Sequence, residues 1–239
     1  MKKLLILPLM LLAIGAFAQS KYSLSTYITP GVSSSRAIYV EDAQQDEVNF
    51  ANNTQKNGFG YTAGVLINKH VNHKVSWRLG VNYTSYKDKF ETTHIDALNS
   101  NNEIENYKLA TVYNYKYIDV PFYMNYSVYK NDHIDIALTG GLEINIPLTG
   151  KATKTKTDLY TNATQTSTFK LSNGFDGADD LNMTYMAGIS VSKKVNDKLS
   201  LYTQLSYREQ LSNRYRVSHI TRVNLMYGLS IGATFNIGK

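Results

Sequence analysis

The chain has 239 residues, 43% hydrophobic, 12% aromatic and 18% charged, which is too apolar for a disordered chain and long enough for one large all-β domain or two small ones. It contains no cysteine, so a disulfide framework, a thiolate nucleophile and a cysteine zinc site are all excluded. The formal charge of +6 includes Lys2 and Lys3; without them 23 basic residues face 19 acidic ones, a modest excess that, in an exported chain, argues against nucleic-acid binding.

Met1 to Ala18 opens on Lys2 and Lys3, continues through an apolar run from Leu4 to Phe17 and ends in Ala16-Phe17-Ala18. That is the layout of a secretory signal peptide, and the apolar run is shorter than the roughly 20 residues of a spanning helix. Residues 19–239 are then expected to form one exported domain. They hold no apolar run approaching 18 residues, so a membrane role requires strands closed into a barrel, recognisable by period-two alternation.

That alternation is present along the whole chain. It begins weakly at Tyr22, Leu24, Thr26 and Ile28, and strengthens at Phe59, Tyr61, Ala63, Val65 and Ile67. Val75, Trp77, Leu79, Val81 and Tyr83 repeat it against Ser76, Arg78, Gly80 and Asn82. Ile118, Val120, Phe122, Met124, Tyr126 and Val128 follow, opposed by Tyr117, Asp119, Pro121, Tyr123 and Asn125. Ile134 to Ile146 alternates with Asp135, Thr139, Glu143 and Asn145; Met183 to Val191 alternates with Thr184, Gly188 and Ser190; Leu199 to Tyr207 alternates with Gln204, Ser206 and, one place on, Arg208. The last segment is the clearest, with Val223, Leu225, Tyr227, Leu229, Ile231, Ala233, Phe235 and Ile237 on one face and small or polar residues on the other.

Eight strands result, joined alternately by short and long connections. The short ones, at 71–74, 130–133 and 195–198, carry Asn or Asp where a tight turn needs it. The long ones cover about 41–57, 88–109, 150–181 and 212–221. Short turns at one end and long loops at the other are expected of an eight-stranded antiparallel up-and-down transmembrane barrel in a bacterial outer membrane. A soluble lipocalin-like barrel or sandwich is the competing architecture, with the apolar face inside. Against it, the other face is rich in Gly and Ser and nearly bare of the Lys and Glu with which soluble sheets protect an exposed surface. Thr164 to Leu171 alternates again without an apolar face and reads as a protruding hairpin, a ten-stranded barrel being the alternative.

The stretch Tyr117-Ile118-Asp119-Val120-Pro121-Phe122-Tyr123-Met124-Asn125-Tyr126 and the ending from Gly228 to Ile237 resemble the PorT-like outer-membrane β-barrel family. The resemblance implies a barrel and admits a role as an accessory subunit of an envelope or secretion assembly, because one branch of that family serves protein secretion across the outer membrane. Its distinctive part is Tyr117, Ile118, Val120 and Pro121. The chain departs from the many outer-membrane strands that end on an aromatic, since four residues follow Phe235. Pro121 lacks a ladder donor, so a bulge or distorted pairing is expected there, with the side chain inward. Tyr113, Tyr115 and Tyr117 run in opposite phase to Ile118 and Val120, fitting a register change or an extension above the bilayer.

Arg78, Asp119, Glu143 and Arg208 have inward parity on four strands, and buried charges must pair, so a lumen ion-pair network that plugs the barrel is expected, with a conducting pathway as the sharper alternative. The histidines do not support catalysis: His70, His73 and His133 fall at short turns, His94 and His219 in long loops, and the neighbours Ser218 and His219 would point to opposite faces of a strand. Asp176, Asp179 and Asp180 match no cation loop, so no metal and no cofactor is expected. Lysines at or near the short-turn end (Lys21, Lys69, Lys74, Lys130, Lys193, Lys194, Lys198, Lys239) and 13 of the 19 acidic residues in the first three long loops point to a basic periplasmic rim. The expected role is structural or interactive, not enzymatic. Outer-membrane lipids and a protein of an envelope complex are the expected partners; a narrow passive channel is the alternative, and a lipid-directed enzyme the third.

Overall fold

A computed structural model describes residues 22–39, 45–98, 104–171, 182–211, 216–217 and 220–237. The leader segment 1–18, the acidic run 176–180 and the pair Ser218 and His219 lie outside them. Eleven strands and one helix are present among the described residues: β1 (Tyr22–Tyr39), α1 (Gln45–Thr54), β2 (Gln55–Lys56), β3 (Gly58–His70), β4 (Val75–Leu98), β5 (Ile104–Lys130), β6 (Ile134–Asp158), β7 (Thr164–Leu171), β8 (Asn182–Lys194), β9 (Leu199–Gln210), β10 (Arg216–Val217) and β11 (Ile220–Asn236).

Eight of the strands form the ring. Each pairs antiparallel with its sequence neighbours in the order β1-β3-β4-β5-β6-β8-β9-β11, and β1 closes on β11 in a register that sets Ile28 against Ile231. Closure leaves no unpaired edge, the condition for strands in hydrocarbon. β2, β7 and β10 are short additions that pair only with β4, β6 and β11. The hairpin reading of Thr164–Leu171 therefore holds, and the barrel has eight staves.

The three short turns use one device. Asn72 accepts from the amides of Lys74 and Val75 at 2.8 and 2.7 Å, Asn131 from His133 and Ile134 at 2.9 and 2.7 Å, and Asn196 from Lys198 and Leu199 at 2.9 Å each. A side-chain carbonyl standing in for a backbone one is the reason for asparagine at each turn.

The apolar faces point outward. Leu205 and Ile231 are 60% and 58% exposed, whereas Ser25, Thr62, Thr84 and Asn82 are buried inside. This inside-out distribution decides between membrane and soluble barrels. On β3, β4 and β8 the outward apolar band runs Phe59–Ile67, Val75–Tyr83 and Met183–Val191, the nine or so residues that a tilted strand needs to cross a bilayer. At its long-loop margin, outward tyrosines pack in neighbouring pairs: Tyr61 with Tyr83 at 5.9 Å between ring centres, Tyr185 with Tyr207 at 5.7 Å and Tyr207 with Tyr227 at 5.0 Å. These phenols sit where an apolar body meets water.

Several long connections prove to be structured, which corrects their reading as loops. The first contains α1 and β2. The second and third are largely strand, because β4, β5 and β6 continue past the band and, with β7, build a four-stranded wall above it. Thr, Tyr and Lys in these segments alternate like the barrel strands but without an apolar side, so alternation marks the strand while the missing hydrocarbon face marks where the membrane ends.

The phase of Tyr113, Tyr115 and Tyr117 also resolves. β5 keeps its parity from Tyr107 to Ser127 and slips only at Val128, near the short turn, so Tyr115 and Tyr117 are buried inside, continuous with Asp119 and Tyr123. The register slip beside these tyrosines falls on β6: Lys116 faces Thr149 but Tyr117 faces Pro147, leaving Leu148 bulged outward. At Pro121, itself inward and buried, pairing with β4 lapses between Leu79–Phe122 and Asn82–Asp119 without a shift of register, so the missing donor interrupts the ladder and produces no bulge.

On the wall, Lys89 at 2.6 Å, followed by Lys108 at 3.1 Å, holds the Glu91 carboxyl below the usual carboxylate range. The group's contribution to stability is present above its unfolded pKa and lost as pH falls through the lower folded value. Solvent screening limits it to under about 1 kcal/mol. A carboxyl-carbon NMR titration should show Glu91 losing its proton at lower pH than a free glutamate, and Lys89→Gln with Lys108→Gln should return it to the ordinary range.

Candidate functional site

Within the barrel, three of the four inward charges form one connected group. Arg208 Nη2 lies 3.2 Å from Glu143 Oε1, with the two side chains 4% and 0% exposed. The Tyr123 hydroxyl donates to the same carboxylate oxygen and accepts from Arg208 Nη2 at 3.3 Å. Arg208 Nη1 donates to Thr62 at 2.6 Å, Thr62 shares a hydrogen bond with Thr84 at 2.9 Å, and the Thr84 hydroxyl donates to Asp119. Asn145 donates to the other Asp119 oxygen at 2.8 Å and accepts from Thr184 at 2.7 Å. Residues from β3, β4, β5, β6, β8 and β9 are thus tied across the lumen. Asp119 enters through hydroxyl and amide donors, not through a direct ion pair.

Arg78 stands apart, on the short-turn side. With the Asn125 amide oxygen turned toward it, that oxygen accepts from Arg78 Nε at 2.5 Å and Nη2 at 3.0 Å. Gln204 accepts from Nη1 at 3.5 Å and the Tyr202 ring lies 5.6 Å from the guanidinium carbon. Its neighbours are therefore amide and aromatic groups, unlike the carboxylate partner of Arg208.

Two apolar clusters bracket the polar group. Leu66, Tyr123 and Met186, with Tyr27 against them, lie on the short-turn side; Tyr86, Tyr115, Tyr117 and Met226 lie on the long-loop side. Below Arg78 a vestibule of about 750 Å³ opens at the short turns, bordered by Ser76, Asn125, Ser127 and Asp135. Past Arg78 the free space shrinks to about 10 Å³, ringed by Tyr27, Tyr123, Met186 and Tyr202, which is about the room one water needs. Period-two parity places Leu66 and Met226 in the lumen, but only the three-dimensional closure shows that they pack with Tyr123 and Tyr117 respectively.

His70, His73 and His133 all border the vestibule, yet the described residues contain no cluster of three His, Asp or Glu side chains able to hold a metal ion. Lysines stand at both ends of the barrel. Lys74, Lys130 and Lys194 do border the vestibule mouth, but Lys87, Lys89, Lys108, Lys116, Lys151 and Lys170 stand on the wall beyond the apolar band, so base is not confined to the turn end.

No family model matches the chain, and no curated protein matches it. Similar solved structures include Neisserial surface protein A, at 13% identity over 89% of this chain and 97% of that one, with a TM-score of 0.36. OprG from Pseudomonas aeruginosa aligns at 8% identity over 93% and 98%, with a TM-score of 0.39, and Ail, the attachment invasion locus protein of Yersinia pestis, at 12% over 88% and 98%, with a TM-score of 0.33. The fold assignment rests on the closed ring of pairings and not on these likenesses.

Proposed function

We propose that the protein is an integral barrel of a bacterial outer membrane that carries an interaction surface on its β4–β7 wall and conducts nothing through its lumen. The observation that carries this reading is the blocked lumen: a buried Arg208–Glu143 pair and its hydrogen-bonded neighbours lie between two aromatic clusters, and the cavity ringed by Tyr27, Tyr123, Met186 and Tyr202 has room for about one water. An ion crossing that path would have to separate the pair in a region of low dielectric, which is costly. The wall offers what the lumen does not, a sheet four strands wide standing clear of the apolar band. The PorT-like character of residues 117–126 and 228–237 supports placing the partner in an envelope assembly.

A narrow channel is the second reading, favoured by the vestibule at the turn end. Planar-bilayer recording separates the two. Wild-type protein is expected to give no discrete conductance steps, and reproducible steps would overturn the blocked-lumen reading. Extraction in mild detergent followed by native mass spectrometry tests the interaction surface: a defined complex that disappears when the β6–β7 hairpin is replaced by a short turn supports it, and a complex indifferent to that change removes the wall from the reading.

A further inference from the structure

On the reading of the chain as an outer-membrane barrel, we infer that the outward face of the β4–β7 wall binds the phosphorylated headgroups of outer-leaflet lipid. Lys87, Lys151 and Lys170 occupy one cross-strand row of that face, with Asn114 between the first two, and Lys116 lies one pleat nearer the membrane, in the row of Tyr61, Ser85 and Thr149. Adjacent strands are about 4.8 Å apart, so the row carries three ammonium groups across roughly 15 Å of sheet.

Three features single this patch out. Glu91 engages Lys89 and Lys108 higher on the wall, whereas no carboxylate of the described residues forms an ion pair with Lys87, Lys116, Lys151 or Lys170. Directly beneath the patch, the outward side chains Tyr83, Ile118, Ile146 and Leu148 continue the apolar band, so acyl chains lying on the barrel wall bring their headgroups to the lysines. The opposite wall differs: there Glu209 accepts from Tyr185 at 2.5 Å, from Tyr207 and from Arg36 at 2.9 Å, an acidic position satisfied within the protein. Among the described residues, the wall lysines therefore lack the carboxylate partner that neutralises Arg36 at Glu209, and their charge is left for an anionic headgroup. Thr149 and Thr153 add neutral hydroxyl donors for phosphate oxygens, and Asn114, whose amide oxygen accepts from the buried Ser85 at 3.2 Å, adds an amide.

The test is lipid binding to the whole purified barrel, with diphosphoryl lipid A as probe and native mass spectrometry as readout. The variant K87Q/K116Q/K151Q/K170Q is compared with K74Q/K193Q/K194Q/K198Q, which makes the same charge change at the turn end; the shift in electrophoretic mobility between unheated and boiled samples confirms that each has folded. The wall variant is expected to bind at least about tenfold more weakly while the turn-end variant matches wild type, since each near-surface lysine contributes appreciably to anionic lipid affinity. Lipid A stripped of phosphate is expected to lose the same preference. Equal weakening in both variants, unchanged binding in the wall variant, or undiminished binding of the dephosphorylated lipid each overturns the site. Labelling of Lys170 on intact cells by an impermeant amine reagent separately tests the outer-membrane orientation; failure there removes the orientation while the titration still decides whether the patch binds the headgroup.

Discussion

Arg208→Met is expected to lower the unfolding free energy of the barrel in lipid vesicles by about 3–5 kcal/mol, the usual cost of stripping one partner from a buried ion pair. The size follows from what remains. Glu143 is fully buried, its second oxygen has no hydrogen-bond partner, and after loss of the guanidinium its first oxygen keeps only the Tyr123 hydroxyl. Thr62 also loses the 2.6 Å bond that links the pair to Thr84 and Asp119. Arg208→Met with Glu143→Gln should recover more than half of the loss, because the neutral pair leaves no buried charge. Arg78→Met provides the internal control. Its partners are an amide, a distant glutamine and a ring at the edge of the vestibule, so about 1–3 kcal/mol is expected, the cost of unsatisfied neutral groups. Denaturant titration of the three variants checks the ranking, and an Arg78 effect equal to that of Arg208 would show that burial alone, without the carboxylate, sets the cost.

Tyr123→Ala is expected to cost a comparable amount, about 3–5 kcal/mol, because it deletes one of the largest fully buried side chains as well as a hydroxyl that joins Glu143 and Arg208. Tyr123→Phe keeps the volume and removes only the hydroxyl, for about 1–3 kcal/mol. Tyr123→Ala and Arg208→Met share partners, so their combined effect should depart from the sum by about 0.5–3 kcal/mol, measurable as a double-mutant cycle. In planar bilayers Tyr123→Ala should stay silent despite the enlarged cavity, since Tyr86, Tyr115, Tyr117 and Met226 still close the lumen on the long-loop side. Conductance from the single variant would place the whole barrier at Tyr123.

Parity along the strands was the most legible feature. In a strand the side-chain period is two, so Leu205, Ile231 and Phe122 had to share a face opposite Gln204, Ser230 and Tyr123 whatever the partner strand. The turns were legible for a comparable reason: Asn72, Asn131 and Asn196 act on amides two and three residues away, a purely local contact. The four inward charges were also readable one by one. Their grouping was not. That Arg208 meets Glu143 while Arg78 meets Asn125 depends on which strands lie across the lumen and at what height.

The same division separates what the two levels of description contribute. The amino-acid sequence by itself determined the number of staves, the hydrocarbon-facing side of each and the short turns, because these depend on the alternation of side chains and on contacts within a few residues. Only the tertiary structure decided that β4, β5 and β6 rise past the bilayer as a wall, that Leu148 bulges while β5 keeps its phase through Tyr113, Tyr115 and Tyr117, and that Lys87, Lys116, Lys151 and Lys170 share one face. These features depend on register between strands, which ring closure and the shared packing of the lumen select and no single strand encodes.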